Sequence, residues 1–135
     1  MEHELRFTAR HRYGEGGIVI PVRLSLGRRS LLAMARLDTG SDVSIFQREH
    51  GESLDLEVER GQPLQISTVT GSFLAYGHSV SVEALGIELD IMVYFAFAYG
   101  FPRNVLGRRG WIEQLRLGFI HYDRLLYAAR RDEGR

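Results

Sequence analysis

The chain has 135 residues, 44% of them hydrophobic and 25% charged, which suits one globular domain with enough apolar side chain for a core. Seventeen basic residues balance 17 acidic ones, so no excess positive field is present to hold nucleic acid or an anionic membrane. Every basic residue is Arg, and Cys is absent, which excludes a phosphate loop ending in Gly-Lys, a lysine Schiff base, thiol catalysis, disulfides and thiolate metal sites.

Residues 1–13 mix charge with isolated apolar positions and hold no continuous apolar run of the kind an export signal needs, so the expected compartment is the cytoplasm. Leu5, Phe7 and Ala9 alternate with Arg6 and Thr8, which predicts an N-terminal strand followed by a Gly-rich loop within residues 1–17. Residues 18–26 alternate again, Gly27-Arg28-Arg29 signals a turn, and residues 31–37 return as a strand that delivers the chain to Asp38. Residues 47–53 read as a short helix or loop, with a turn at Gly61-Gln62-Pro63. Residues 64–69 and 72–84 then form the arms of a long hairpin around Thr70-Gly71. A further hairpin at Gly86 leads into residues 87–97. The most apolar stretch, residues 91–101, is about half the ~20 residues needed to cross a bilayer and reads as core strand and loop.

Near the C-terminus, Trp111, Ile112 and Leu115 fall close to one helical face, which predicts a short helix over residues 109–117. Residues 119–128 predict a closing hairpin around Tyr122-Asp123-Arg124, and residues 129–135 a polar tail. No internal repeat or linker is present, so residues 1–135 are expected to form one mostly β domain.

Chemistry concentrates in two segments. Leu37-Asp38-Thr39-Gly40-Ser41-Asp42 places an acid at the end of an apolar strand. Gly40 permits close backbone approach, and Thr39 and Ser41 supply hydroxyl donors. Taken alone, this is equally a strand-ending Asx turn. Downstream, Asn104-Val105-Leu106-Gly107-Arg108 offers two apolar residues and a glycine before the expected helix. The histidines His3, His11, His50, His78 and His121 lack ligand-pair spacing, and Ser41 lacks the context of a nucleophile elbow, so neither a metal centre nor serine hydrolysis is expected. The aromatic group Tyr94, Phe95, Phe97, Tyr99 and Phe101 reads as core and cross-strand packing.

With both segments in this order, and Asp55-Leu56-Glu57 between them, the sequence resembles the retropepsin family of aspartic proteases, especially its small single-domain bacterial and cellular members. The resemblance spans residues 18–127. It implies a half-barrel of β-strands with a flap hairpin and one short C-terminal helix. Asp38 would be the catalytic acid in an active-site turn with Thr39, Gly40 and Ser41, supported by the strand Val105, Leu106 and Gly107. Asp42 and Arg108 would form a bracing ion pair, and Thr68, Val69, Thr70 and Gly71 the substrate-binding flap tip. Ser41 would hydrogen-bond the Asp38 carboxylate. Two departures stand out: the tip has a single glycine where retroviral flaps have several, and the segment after Gly118 is longer than the short dimerising strand of the viral enzymes.

The implied chemistry needs two carboxylates around one water, and the chain has a single Asp-Thr-Gly. The resemblance therefore implies a homodimer in which each copy supplies one Asp38, acting on an extended peptide or protein substrate with no cofactor and no metal. Two other readings fit the sequence: a retropepsin-fold module that dimerises or binds peptides without cleaving them, and an unrelated small β-barrel in which Asp38 lies far from residues 105–107.

Overall fold

A computed structural model describes residues 1–133. The period-2 segments form ten strands: β1 (Ala9–Arg12), β2 (Val19–Leu26), β3 (Arg29–Leu37), β4 (Ser44–Phe46), β5 (Gln62–Thr68), β6 (Gly71–Ala84), β7 (Ile87–Ala96), β8 (Asn104–Leu106), β9 (Leu115–Ile120) and β10 (Leu125–Arg130). One short α-helix, α1 (Arg48–Ser53), lies between β4 and β5. With 53% of the residues in strands, the domain is mostly β. Among the described residues no helix is long and apolar enough to cross a membrane.

Seven strands form one sheet in the order β2-β3-β8-β4-β7-β6-β5. An additional antiparallel pairing of Arg23–Ser25 in β2 with β6 joins its ends into a closed six-stranded barrel, a closure not foreseen from the sequence. β5 stays outside the ring and pairs only with β6. The other three strands form a small sheet in the order β1-β10-β9.

Alternation explains the core. In β2, Ile20, Val22 and Leu24 are fully buried while Pro21 and Arg23 face out. Each such burial is worth roughly 1.5–3 kcal/mol. They pack in one cluster with Val80, Val82, Val93 and Phe95 of the long hairpins, and Trp111 and Leu126 tie the small sheet to the same core.

Four expectations need correction. The helix over residues 109–117 is absent. Turns lead into a three-residue 3-10 helix (Ile112–Gln114), and Leu115 already opens β9, paired with Arg130. Gly110 adopts φ +88°, which breaks a helix there, and the apolar positions Leu115 and Leu117 satisfy a strand's alternation as well as a helical face. Among the described residues the only α-helix is α1, in the stretch read as helix or loop. The N-terminal strand is residues 9–12, not 5–9: its ladder partners in β10 are Leu125 to Ala128, and Leu5 is exposed. The polar tail begins later than residue 129, because Ala129 is fully buried and Arg130 ends β10; residues 134 and 135 of that tail lie outside the described residues. Gln62 and Pro63 begin β5 rather than forming a turn, and Pro63 is tolerated because β5 is an edge strand.

The site depends on one topological feature. β3 and β4 follow each other in the chain yet are not paired, because β8 lies between them, parallel to β3 (Ala35↔Asn104 to Leu37↔Leu106) and antiparallel to β4 (Ile45↔Val105). The connection from β3 to β4, residues 38–43, therefore crosses the end of β8.

Candidate active site

That crossing fixes Asp38. Its amide donates to the Leu106 carbonyl at 3.0 Å, one step beyond the β3–β8 ladder, and the Ser41 amide donates back to the Asp38 carbonyl at 3.2 Å to close the turn. The Gly40 amide donates to Asp38 Oδ1 at 2.8 Å. Asp38 has no ion-pair partner among the described residues. Thr39 is exposed beside it, and its hydroxyl has no partner among the described residues.

Ser41 does not bond the Asp38 carboxylate: its Oγ donates to the Val43 carbonyl at 2.7 Å, so the hydroxyl stabilises the exit of the turn. Asp42 approaches Arg108 only at 3.8 Å, and its closer partner is Arg109 at 2.8 Å. All three side chains are exposed, which makes the ionic brace weak. The firmer brace is main chain, with the Arg108 amide donating to the Ser41 carbonyl at 2.9 Å and the Arg109 amide to the Asp42 carbonyl at 2.8 Å.

Gly107 is required by space. A Cβ there would overlap the Val43 carbonyl oxygen and stand 2.8 Å from that of Ser41. Its amide donates at 3.0 Å to Ser44 Oγ, a fully buried hydroxyl within β4. The sequence reading missed Ser44, although a serine inside the apolar run Val43-Ser44-Ile45-Phe46 is a recognisable signal that a buried backbone group needs a partner.

Asn104, which opens the downstream motif but takes no role in the sequence reading, is the other buried polar residue of this core. Its Oδ1 accepts the Gln47 amide at 2.9 Å, and its Nδ2 donates to the Met34 carbonyl at 3.0 Å. Nδ2 also lies 3.2 Å from His50 Nε2, an arrangement that makes this ring nitrogen the acceptor and the imidazole neutral. Burial lowers the His50 pKa, with Glu49 acting weakly in the opposite direction.

A cleft of about 910 Å³ opens over Asp38. Its floor is the turn of residues 38–43 with Ile45 and Val105, its roof the β5–β6 hairpin, and its far wall Phe101, Pro102 and Arg103. The hairpin reverses through Val69-Thr70 between the paired Thr68 and Gly71; the Thr68 hydroxyl donates to the Gly71 carbonyl at 2.9 Å, and Val69 is fully exposed. Thus Asp38, the turn residues Gly40, Ser41 and Asp42, the tip residues Thr68, Val69 and Thr70, and Val105 all line one cavity, whereas Thr39, Gly71, Leu106, Gly107 and Arg108 do not line it.

Roof and far wall meet through Phe73 and Phe101, whose ring centroids are 5.0 Å apart. The far wall is itself anchored to α1: Gln47 Nε2 donates to the Phe101 carbonyl at 2.6 Å, and Arg48 donates to the Phe97 carbonyl at 3.1 Å. The Arg48 guanidinium lies 5.0 Å from the Tyr99 ring centre and is ion-paired with Glu59 and Glu52, the contacts with Glu59 and Tyr99 raising its pKa further. Aromatics read as core thus divide: Phe95 is core, Phe101 lines the cleft, and Phe97 and Tyr99 are exposed rings that pack against the Arg48 guanidinium outside it.

The arrangement is that of an acid held on its backbone at the floor of a roofed groove. Compared with known protein families the sequence matches none, and no curated protein matches it either.

Proposed function

We propose that the chain is a retropepsin-like aspartic endopeptidase active as a homodimer, in which two Asp38 carboxylates activate one water. In this reading the domain is the retropepsin-like half-site, and the β5–β6 hairpin is its flap, with Thr68, Val69, Thr70 and Gly71 at the tip. The observation that carries the proposal is the position of Asp38: a carboxylate with no cation partner among the described residues, in a turn beside residues 105–107, in a cleft that it lines together with a long hairpin.

Two carboxylates brought within a few Å of each other hold one proton between them, because both cannot be ionised at so short a distance. The ionised Asp38 takes a proton from the water as its oxygen attacks the peptide carbonyl carbon. The protonated Asp38 of the other copy hydrogen-bonds the carbonyl oxygen and hands over its proton. The tetrahedral intermediate then collapses. The Asp38 that took the proton from water gives it to the amide nitrogen, the C–N bond breaks and the amine leaves. A hydroxyl of the intermediate returns its proton to the other Asp38, so that the pair again holds one proton. A twofold axis is the simplest way to supply the second acid, and the unpartnered Thr39 hydroxyl beside Asp38 suits a contact with its mate across that axis. The exposed edge strand β5 and the Gly40 carbonyl supply backbone groups for a substrate in strand conformation.

The test is digestion of an unfolded protein substrate from acidic to neutral pH, with Asp38→Asn beside the wild type. Fragments from the wild type alone are expected. Equal fragmentation by both proteins overturns the proposal, and binding without cleavage assigns the cleft to a peptide-binding module.

A further inference from the structure

Four charged side chains line the cleft: Asp38, Asp42, Arg103 and Arg109. Asp42 and Arg109 neutralise each other at 2.8 Å. That leaves one unpaired anion, Asp38, to which the proposed chemistry gives a task, and one unpaired cation, Arg103, which has neither a carboxylate nor a hydrogen-bond acceptor among the described residues.

Arg103 is well placed to meet a ligand. Asn104 and Leu106 point into the protein, toward Gln47 and the core respectively, whereas Arg103, which directly precedes β8, and Val105 within it line the cleft. Arg103 is three residues from Leu106, whose carbonyl holds Asp38, or ~10 Å along an extended chain, a span that the long arginine side chain shortens. Its neighbours in the chain are held: Phe101 is bonded to Gln47, and Asn104 is paired with Ala35 in the sheet. The same cleft is lined by the apolar groups Phe73, Phe101, Leu64 and Ile66.

We propose that Arg103 is a specificity-determining residue of this cleft, which binds an Asp or Glu side chain of the substrate peptide close to an apolar residue seated against Phe73 and Phe101. The inference rests on the reading of the cleft as a peptidase site. An acid pair sharing one proton carries a net negative charge and repels an acidic peptide; Arg103 offsets that repulsion and makes acidic flanks an advantage.

Two fluorogenic octapeptides with a Phe-Leu centre, one with Glu and one with Arg on both sides, test this. Wild type is expected to favour the Glu peptide in kcat/KM by about two- to fivefold, the range of a partly exposed ion pair. The preference shrinks with added salt, disappears in Arg103→Met and reverses in Arg103→Glu. Cleavage by Arg103→Glu with the wild-type ratio overturns the inference and leaves the peptidase reading standing. Should wild type cleave neither peptide, the peptidase reading fails by itself, and fluorescence anisotropy with the same peptides decides the role of Arg103. A Glu preference that reverses in Arg103→Glu sustains it; equal affinities, or no binding of either peptide, overturn it.

Discussion

The Asp38 amide donates to the carbonyl of Leu106, so the position of the candidate acid is set by a strand that enters the fold far downstream of it. Support for the site is therefore to be sought around β8 as much as in the turn itself.

Gly107→Ala tests that support directly. The added methyl meets backbone carbonyls of Val43 and Ser41, which yield less readily than a side chain does. A loss of about 2–3 kcal/mol in denaturant unfolding is expected, together with loss of any Asp38-dependent activity. Wild-type stability in this variant contradicts the packing described here.

Asn104→Ala strands the Gln47 amide and the Met34 carbonyl inside the protein. Each buried group left without a partner costs roughly 1–3 kcal/mol, so a urea midpoint lowered by the equivalent of about 2–4 kcal/mol is expected. A shift under a tenth of the wild-type midpoint contradicts this.

His50 predicts a pH effect of definite sign. Its folded pKa lies below the ordinary value, so the unfolded chain binds the proton more readily. The stability it contributes is fully present above the unfolded value of about 6.5. It declines as pH falls through the window down to the lowered folded value, and then stops changing. Unfolding free energies measured across this window should decline less in His50→Gln than in wild type; identical slopes refute the assignment.

Asp42→Asn should cost under about 1 kcal/mol, and less in added salt, because the Asp42, Arg108 and Arg109 side chains are all exposed. A loss comparable with that of Gly107→Ala means that the ion pairs, rather than the amide bonds of residues 108 and 109, hold the turn.

Phe101→Ala removes the ring that joins the far wall to the hairpin at Phe73. An aromatic contact of this kind is worth about 0.5–1.5 kcal/mol beyond its buried area. Hydrogen exchange of amides in residues 65–73 should quicken while exchange in β2 and β7 stays as in wild type. Unchanged exchange at the hairpin shows that Phe101 does not restrain it.

Much of this architecture is legible locally. The arms of the β5–β6 hairpin and the turn at Gly86 follow from alternation and turn residues, while the approach of residues 105–107 to Asp38 is implied only by the family resemblance. Where expectation failed, two arrangements competed for the same residues. Trp111, Ile112 and Leu115 fit a helical face until Gly110 takes a left-handed conformation and β10 offers Leu115 a partner. Adjacent Arg108 and Arg109 are equivalent by composition, and only the crossing of the turn over β8 brings the second nearer to Asp42. Closure through Arg23 and Glu83 depends on the register between distant strands, for which short-range patterning carries no signal. Ser44 and Asn104 are single polar residues whose importance emerges only when their burial is known.

Because the ring is completed by β2 and β6, the outlying strand β5 is mechanically separate from it. Peeling this strand back severs one ladder, from Gln62 to Thr68, and leaves every staves-to-staves contact of the barrel intact. Displacement of β5 therefore calls for no melting of the barrel ladders, which remain closed through residues 23–25 and 81–83.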